Sequence, residues 1–416
     1  MMKKQALLLI ADGMGDLPNP SLDGKTPLEY ANTPYMAFLA SQGLFGNVHP
    51  VKAGVPVGTD VGHLAIFGYD PYEVYTGRGP IEAYGAGIEM QPGDIAFRGN
   101  FATVDDDFVV LDRRAERISH GTNELAEALN GIRLSNGTQV IVRALSAHRV
   151  AVVLRGDGLS EHVTTSDPGT AKEGSKVLLS TPLEDSVDAQ STAKLINELS
   201  EKFYAILTLH PVNHNRRKNH LAPANMILLR GVGKEIQAPK ITDKFGINGA
   251  CIAGDRTVLG IARMSGLDTF HQPGFTAGFD TDFTGKAKLA LEKLEEGYDW
   301  VVLHIKSPDL AGHDDLPYVK VEMAEKFDQM VGYILQHVDL DSCYIGYTSD
   351  HSTPCSRRDH SGDPVPTFFA GADVRKMELH GFGEKYLNHG SLNNLTAQEF
   401  FLTQMDYLTV IPKLGA

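Results

Sequence analysis

Cysteine is scarce in this 416-residue sequence. The three cysteines, Cys251, Cys343 and Cys355, are odd in number and lie far apart. Disulfide frameworks and thiolate zinc clusters both need several cysteines at short spacing. The sequence therefore excludes a disulfide-stapled domain and a cysteine-based zinc site.

Positive charge is also in short supply, because 38 Lys and Arg residues face 52 Asp and Glu residues and leave a net charge of −14. Nucleic acids and anionic membrane surfaces are bound by basic faces. We therefore expect neither nucleic acid nor a membrane as the main partner. A small anionic substrate is compatible with this balance, because 11 of the 17 arginines lie between residues 95 and 235.

No hydrophobic run reaches the length of a transmembrane segment. The apolar run at residues 5–11 is short, and it meets Asp12-Gly13 rather than a small-residue cleavage site. We expect the first core strand of a cytoplasmic protein there, rather than a signal peptide. Internal repeats and low-complexity linkers are absent as well.

The chain is longer than the size at which one hydrophobic core stops growing, so we expect two domains or a large insertion. Apolar strand-like runs alternate with amphipathic helices at both ends, whereas the middle third has short strands separated by turns. We predict an α/β core from residues 1–94 and 236–416, interrupted by an α+β insertion at 95–235.

The predicted core strands are 5–11, 250–253, 299–305, 343–349 and 367–370, and the predicted core helices are 257–265, 283–297, 317–338 and 396–408. Residues 27–43 are predicted to be mostly helical, with a break near Thr33-Pro34 left open. In the insertion we predict strands at 108–111, 139–145, 149–154 and 224–230, and helices at 119–130 and 187–208. The segment 69–87, rich in Gly, Pro and Tyr, is predicted to be an ordered loop.

Three of the predicted core strands end in residues that commonly bind metals. The candidate ligands are Asp12, Asp309, His313, Asp350, His351 and His360. Ligands collect at the carboxyl ends of parallel strands, which share one edge of the sheet. Carboxylates mixed with imidazoles suit Zn²⁺ or Mn²⁺, and more than four ligands indicate two ions. The sequence therefore predicts a two-metal centre that could act on phosphate esters.

Thr59 is the candidate nucleophile. It lies between Gly58 and Asp60, just before an apolar segment. A hydroxyl needs a base or a metal to activate it, and the sequence contains neither a Gly-x-Ser-x-Gly elbow nor an ordered catalytic triad. Metal activation is the better account, although Thr59 could instead cap the segment that follows.

In order along nearly the whole chain, the motifs resemble those of archaeal-type cofactor-independent phosphoglycerate mutases, a family within the alkaline phosphatase superfamily. The matching motifs lie at residues 12–16, 24–29, 58–64, 68–71, 77–80, 304–306, 308–313, 350–355 and 360–366. The resemblance implies an alkaline phosphatase-like core sheet flanked by helices, with an inserted substrate-binding domain.

The same resemblance implies roles for individual residues. One metal would be held by Asp309, His313 and His360, and the other by Asp12, Asp350, His351 and the Thr59 oxygen. Lys306 would help to neutralise the phosphoryl group, and Arg149, Arg230 and His120 would grip glycerate. The ions would be Mn²⁺ or Zn²⁺, with Mg²⁺ or Co²⁺ as alternatives, and 2,3-bisphosphoglycerate would not be needed.

The implied reaction is the interconversion of 3-phosphoglycerate and 2-phosphoglycerate in glycolysis and gluconeogenesis, through a phosphothreonine. Retention of glycerate requires exclusion of water, so we expect the insertion to close over the metals. Assembly into a homo-oligomer is left open.

The chain departs from the family at the nucleophile, where the mutases usually have Ser and this sequence has Thr59. The extra methyl group restricts χ1. The presence of Thr in place of Ser leaves alternative functions open. The chain could be a phosphatase, phosphodiesterase or phosphonate hydrolase of the same superfamily, or a homoserine kinase-like phosphotransferase. A non-catalytic, metal-stabilised binding protein would be expected to lose a ligand or the hydroxyl, and this chain retains them all.

Overall fold

The computed structural model describes residues 4–169, 174–379 and 381–415. The chain forms two compact units. Unit 1 consists of Met1–Val74 and Ala238–Ala416, and unit 2 consists of Tyr75–Gln237. The predicted boundary at residue 95 therefore lies inside unit 2, because a helix at Arg78–Gly85 packs on the strands of that unit.

The secondary-structure elements are numbered in chain order. The strands are β1 (Gln5–Ala11), β2 (Gly43–Val48), β3 (Ile95–Val104), β4 (Val110–Asp112), β5 (Gln139–Ala144), β6 (Arg149–Arg155), β7 (Met226–Lys234), β8 (Gly249–Ile252), β9 (Asp268–Phe270), β10 (Trp300–Ile305), β11 (Cys343–Thr348) and β12 (Val365–Ala370). The α-helices are α1 (Pro27–Tyr30), α2 (Pro34–Ser41), α3 (Thr59–Ile66), α4 (Pro71–Val74), α5 (Arg78–Gly85), α6 (Thr122–Leu129), α7 (Val187–Leu209), α8 (Pro211–Lys218), α9 (Ile241–Phe245), α10 (Arg256–Met264), α11 (Phe283–Glu295), α12 (Ser307–His313), α13 (Pro317–Leu335) and α14 (Ala397–Tyr407).

Unit 1 is built around a seven-stranded sheet with the order β2-β12-β11-β1-β10-β8-β9. The five strands from β11 to β9 are parallel, and β12 and β2 close one edge in antiparallel pairs. The central strands are apolar on both faces because helices cover both sides of the sheet. The predicted α/β core is confirmed.

One prediction for this part of the chain is confirmed and one is wrong. Residues 27–43 are mostly helical with a break at Pro34, where a new helix starts, and the chain from Gly43 is strand β2. Residues 69–87 are not a loop, because they contain α4 and α5. A Cβ atom on Gly79 would lie 2.1 Å from the Ala96 carbonyl oxygen, so this glycine permits close packing of a helix rather than a turn.

Unit 2 contains a five-stranded antiparallel sheet. Strand β3 pairs with both β6 and β7, while β4 and β5 extend the sheet. Helix α7 begins at the Ser186 cap and buries Ile196, Leu199 and Phe203, as its amphipathic spacing predicts. The predicted α+β character of this segment is therefore observed.

Two exclusions drawn from the sequence can be compared with the structure. All three cysteines are buried and free. Within the residues that the structure describes, no helix is both long and apolar enough to cross a membrane.

Candidate active site

The site lies where three neighbouring parallel strands end. Strand β1 pairs with β10 up to Ala11 and Ile305, and with β11 up to Ile10 and Thr348. The residues that follow these pairs therefore emerge side by side at one sheet edge. The structure brings together all seven residues predicted as metal ligands, together with Lys306.

The turn after β1 brings the chain close to the neighbouring strand ends. Gly13 has a φ of +61°, and its backbone N–H donates to Asp350 Oδ1 at 3.1 Å. A Cβ atom on Gly13 would lie 2.6 Å from Thr353 Oγ1 and 2.7 Å from Asp309 Cβ. Glycine is required here both by the backbone angle and by the space.

The first cluster consists of Asp309 and His313 on α12 together with His360. Each imidazole donates from Nδ1 to a backbone carbonyl, His313 to Arg358 at 2.9 Å and His360 to Val57 at 2.7 Å. A neutral imidazole has one proton, so both Nε2 atoms present lone pairs, only 3.1 Å apart. Asp309 Oδ1 lies 3.4 and 3.5 Å from these nitrogens. The three ligand atoms therefore suit a bound cation.

The second cluster consists of Asp12, Asp350, His351 and Thr59, all buried. His351 Nε2 lies 3.1 Å from Asp350 Oδ2, 3.3 Å from Thr59 Oγ1 and 3.7 Å from Asp12 Oδ1. Its Nδ1 lies 3.0 Å from Thr353 Oγ1, a neighbour that orients the ring. The nucleophile candidate thus lies among three potential ligands.

Thr59 is the first residue of α3, and Gly58 is the N-cap residue. No side-chain hydrogen bond caps this helix, so the alternative role of Thr59 as a cap is not observed. Instead, Thr59 Oγ1 accepts a hydrogen bond from Lys306 Nζ at 3.0 Å. The hydroxyl therefore faces the two clusters rather than the helix backbone.

Lys306 connects the two clusters. Its ammonium group lies 2.8 Å from Asp12 Oδ1 and 2.7 Å from Asp309 Oδ2. Burial lowers the pKa of Lys306, but the surrounding carboxylates outweigh it, and the pKa lies above its usual value. The lysine therefore carries a fixed positive charge next to the Thr59 hydroxyl.

The site has more buried negative charge than this lysine balances. Burial, with the Asp350 carboxylate adding to it, raises the pKa of Asp12. Burial also opposes ionisation of Asp309, yet the Lys306 ammonium group holds the pKa of Asp309 well below its usual value. Divalent cations would complete the charge balance, so the donor set fits the two ions that the family resemblance implies.

Two histidines in contact with the site were not predicted as functional. His304 Nε2 lies 2.8 Å from Asp12 Oδ2, and His63 Nδ1 lies 3.3 Å from Asp350 Oδ2. Both are fully buried. Although both belong to the quoted motifs, neither ends a strand, so the pattern that identified the ligands did not apply to them.

In unit 2 the structure brings Arg149 and Arg230 together around a third arginine. Arg149 lies on β6 and Arg230 on β7, and both strands pair with β3, which carries the buried Arg98. Burial lowers the pKa of Arg98 to about 9, and the neighbouring Arg78, Arg149 and Arg230 contribute in the same direction. Arg98 Nε lies 3.6 Å from Glu82, one carboxylate among several guanidinium groups. Such an arrangement favours the binding of an anion.

His120 occupies a different surface of unit 2. It is exposed and lines a cavity of about 440 Å³ with Arg117, Arg216 and Asn219. Neither Arg149 nor Arg230 is among the described residues that line this cavity.

The parallel strands, with candidate metal ligands at their ends, define an enzyme core with the alkaline phosphatase-like fold. Residues 40–213 match the family model for 2,3-bisphosphoglycerate-independent phosphoglycerate mutase. Two solved structures are similar over their whole length. A protein from Pyrococcus horikoshii has a TM-score of 0.85 and 36% identity, covering 100% of both chains. The cofactor-independent phosphoglycerate mutase from Thermoplasma acidophilum has a TM-score of 0.73 and 33% identity, covering 97% of this chain and 100% of its own.

Sequence relatives give the same result. The 2,3-bisphosphoglycerate-independent phosphoglycerate mutase 1 of Methanocaldococcus jannaschii is 43% identical, covering 100% of both chains. The mutase of Thermococcus kodakarensis is 41% identical at the same coverage. The chain therefore belongs to the family of 2,3-bisphosphoglycerate-independent phosphoglycerate mutases, a family of isomerases.

Proposed function

We propose that this chain interconverts 3-phosphoglycerate and 2-phosphoglycerate through a phosphorylated Thr59. The names of its full-length relatives support the reaction. One observation supports the intermediate: Thr59 Oγ1 lies 3.3 Å from His351 Nε2 and 3.0 Å from Lys306 Nζ, where the two ligand clusters meet.

Two divalent ions are part of this proposal. One would be held by Asp309, His313 and His360, and the other by Asp12, Asp350, His351 and Thr59. When bound, such ions supply positive charge to phosphoryl oxygens and lower the pKa of a hydroxyl. Mn²⁺ and Zn²⁺ suit this mixture of carboxylates and imidazoles, with Mg²⁺ and Co²⁺ as alternatives.

The phosphoryl group moves twice. Thr59 Oγ1 forms a bond to phosphorus while the bond from phosphorus to the glycerate oxygen breaks, and Lys306 lies beside the negative charge of the phosphoryl group. The proton lost by the threonine is balanced by the proton gained by the released glycerate hydroxyl. The other glycerate hydroxyl then loses its proton and bonds to phosphorus while the bond from phosphorus to Thr59 Oγ1 breaks, and Thr59 takes up a proton. No water is consumed.

Arginines of unit 2 are proposed to hold the anionic glycerate between the two transfers. Arg149 and Arg230 were proposed from the resemblance, and the buried Arg98 between their strands extends the group. Guanidinium groups bind carboxylates in a bidentate geometry, which would orient glycerate as well as retain it. The proposed role of His120 rests on the resemblance alone.

The experiment that tests this proposal follows both products from 3-phosphoglycerate with metal-loaded protein. We expect 2-phosphoglycerate without stoichiometric inorganic phosphate, and a loss of at least ~10³-fold in kcat for Thr59→Ala. Val61→Ala, on the same helix, is the control and should keep activity.

The rival functions predict different products. Phosphate released in proportion to substrate consumed would identify a hydrolase, the alternative that a threonine at this position leaves open. A requirement for a phosphoryl donor and homoserine would identify the kinase-like phosphotransferase. Full mutase activity in Thr59→Ala would contradict the phosphothreonine step.

A further inference from the structure

Two imidazoles lie behind the second cluster and contact two of its carboxylates. His304 is on β10, and its Nε2 lies 2.8 Å from Asp12 Oδ2. His63 is on α3, and its Nδ1 lies 2.8 Å from the Thr59 carbonyl oxygen and 3.3 Å from Asp350 Oδ2. The two rings meet edge to face, with centroids 5.0 Å apart.

The contact made by His304 turns the other oxygen of Asp12 toward the second cluster and Lys306. Asp12 Oδ1 lies 2.8 Å from Lys306 Nζ and 3.7 Å from His351 Nε2, whereas Oδ2 lies against His304. A donor on one oxygen of a metal-binding carboxylate fixes the direction of the other. His304 therefore determines which way Asp12 faces the cluster.

The contacts made by His63 join the nucleophile to a ligand. Its Nδ1–H donates to the Thr59 carbonyl oxygen, and the same nitrogen lies within ion-pair distance of Asp350 Oδ2, an atom without a hydrogen-bond partner among the described residues. A shift of α3 relative to β11 would lengthen one of these contacts. His63 therefore couples the position of Thr59 to that of Asp350.

A packing role alone does not explain these histidines. His63 Nε2 and His304 Nδ1 are buried and have no hydrogen-bond partner among the described residues. An apolar ring would fill the same space without burying a polar nitrogen. Each histidine thus contributes its N–H on the side of the cluster and leaves its other nitrogen unpaired.

We propose that His304 and His63 are positioning residues for the second metal cluster: His304 orients Asp12, and His63 aligns Asp350 with the residue that carries the nucleophile. This inference rests on the proposed two-metal function. Removal of a contact that orients a metal ligand typically weakens metal affinity or activity by ~10–100-fold.

Matched polar variants test the hydrogen bonds rather than the volume of the rings. The His304→Gln amide can reach the position of Nε2, whereas the shorter His304→Asn amide cannot. The order is reversed at His63, where Asn reproduces Nδ1 and Gln does not. The backbone at residue 304 is held independently, because Lys286 Nζ donates to its carbonyl oxygen at 3.1 Å. His337→Gln, at an exposed histidine, is the control.

The measurement is Mn²⁺ binding by calorimetry, together with kcat and KM. We expect His304→Asn and His63→Gln to weaken one of two Mn²⁺ equivalents by ~10–100-fold, and to lower kcat more than they raise KM. His304→Gln and His63→Asn should recover most of both effects. The variants His351→Ala and His313→Ala each remove a candidate ligand from one cluster and so identify the Mn²⁺ equivalent that belongs to it. The Mn²⁺ equivalent weakened in His304→Asn and His63→Gln should be the one that His351→Ala weakens.

Three results would overturn the inference. In the first, all four variants are folded by circular dichroism and keep wild-type Mn²⁺ affinity. In the second, the affected equivalent matches His313→Ala. In the third, the wild-type protein binds three Mn²⁺ equivalents and the His63 variants bind only two. That result would make His63 a ligand of a third ion rather than a positioning residue. A wild-type protein that binds fewer than two ions and lacks mutase activity would instead contradict the proposed function itself.

Discussion

At the scale of single residues, Lys306 has the most consequences for the site. It lies between Asp12 and Asp309 and donates to the Thr59 hydroxyl. The ammonium group of Lys306 contacts both carboxylates, which explains how Asp12 and Asp309 remain close together in the interior of unit 1. Without the lysine, both acids would face each other without a counter-charge.

We predict that Lys306→Met destabilises the metal-free protein by about 3–5 kcal/mol, because two buried carboxylates lose their partner. In metal-loaded protein, kcat should fall by ~10²–10³-fold, because a charge beside the phosphoryl group is lost. Urea denaturation in EDTA and steady-state kinetics measure the two effects. Lys326→Met is the control, since its partly exposed pair with Glu322 contributes about 0–1 kcal/mol. Equal effects of Lys306→Met and Lys326→Met would contradict the role of Lys306 as the counter-charge for the buried carboxylates and the phosphoryl group.

Glu384 is a second residue with a specific consequence. Its Oε1 accepts from the Asp16 N–H at 3.1 Å, and its Oε2 lies 2.6 Å from Thr26 Oγ1. Burial raises the pKa of Glu384 to about 7. The folded protein therefore holds this proton more tightly than the unfolded chain, in which a Glu has a pKa of about 4.3.

The stability that this proton contributes is present at low pH and is lost as the pH rises through about 7. We predict that Glu384→Gln, which stays neutral, gains stability relative to the natural sequence between about pH 4.5 and pH 7. Urea denaturation in EDTA across this range measures the difference. Glu378→Gln, at an exposed glutamate, should show no such trend. A difference independent of pH would show that Glu384 is already ionised throughout this range.

At the scale of elements, the parallel strands were the most predictable part of the fold. Strands β1, β10 and β11 are continuous apolar runs because helices cover both faces of their sheet, and the ligands follow directly after them. Strand β3 was not predicted. It is buried along its whole length yet contains Arg98, Gly99 and Asn100, so neither an alternating nor an apolar pattern identifies it.

The same limits apply to the site. Asp12 and Asp350 were predictable because they follow the ends of apolar strands. The hydrophobic core does not require an apolar residue at these positions, so a carboxylate there indicates another role. His304 lies inside an apolar strand, and a single polar residue there is equally typical of a satisfied core group. Its contact with Asp12 depends on strand order, which residue spacing in one strand does not reveal.

Helix α3 illustrates how an element positions Thr59, the proposed nucleophile. A Cβ atom on Gly62 would lie 2.4 Å from the Asp350 carbonyl oxygen. Alanine would favour the helix by about 1 kcal/mol, but overpacking against backbone costs about 1–3 kcal/mol and cannot be relieved by a rotamer change. We predict that Gly62→Ala lowers both the melting temperature and kcat, because α3 must move away from β11. Val61→Ala, on the same helix, should lower kcat much less. An unchanged kcat in Gly62→Ala would show that α3 need not pack this closely.

At the scale of the whole molecule, the ligand clusters lie entirely within unit 1, and the arginine group lies within unit 2. Unit 1 is discontinuous in sequence, since Asp12 and Thr59 precede the insertion whereas the remaining candidate ligands follow it. Metal binding would therefore connect the two chain segments of unit 1.

We predict that metal removal destabilises unit 1 selectively, because each ion bound at 100 times its dissociation constant adds about 2.7 kcal/mol to the folded state. The single tryptophan, Trp300, is buried in β10, so its fluorescence reports the unfolding of this unit. EDTA should lower the fluorescence melting temperature, and the shift should shrink at acidic pH, since the Asp12 carboxyl, with its raised pKa, must lose its proton to bind a cation. Amide hydrogen exchange in β3 and β6 provides the control and should change little. Equal loss of protection in β1 and β3 would show that the ions stabilise the whole chain rather than the unit that carries their ligands.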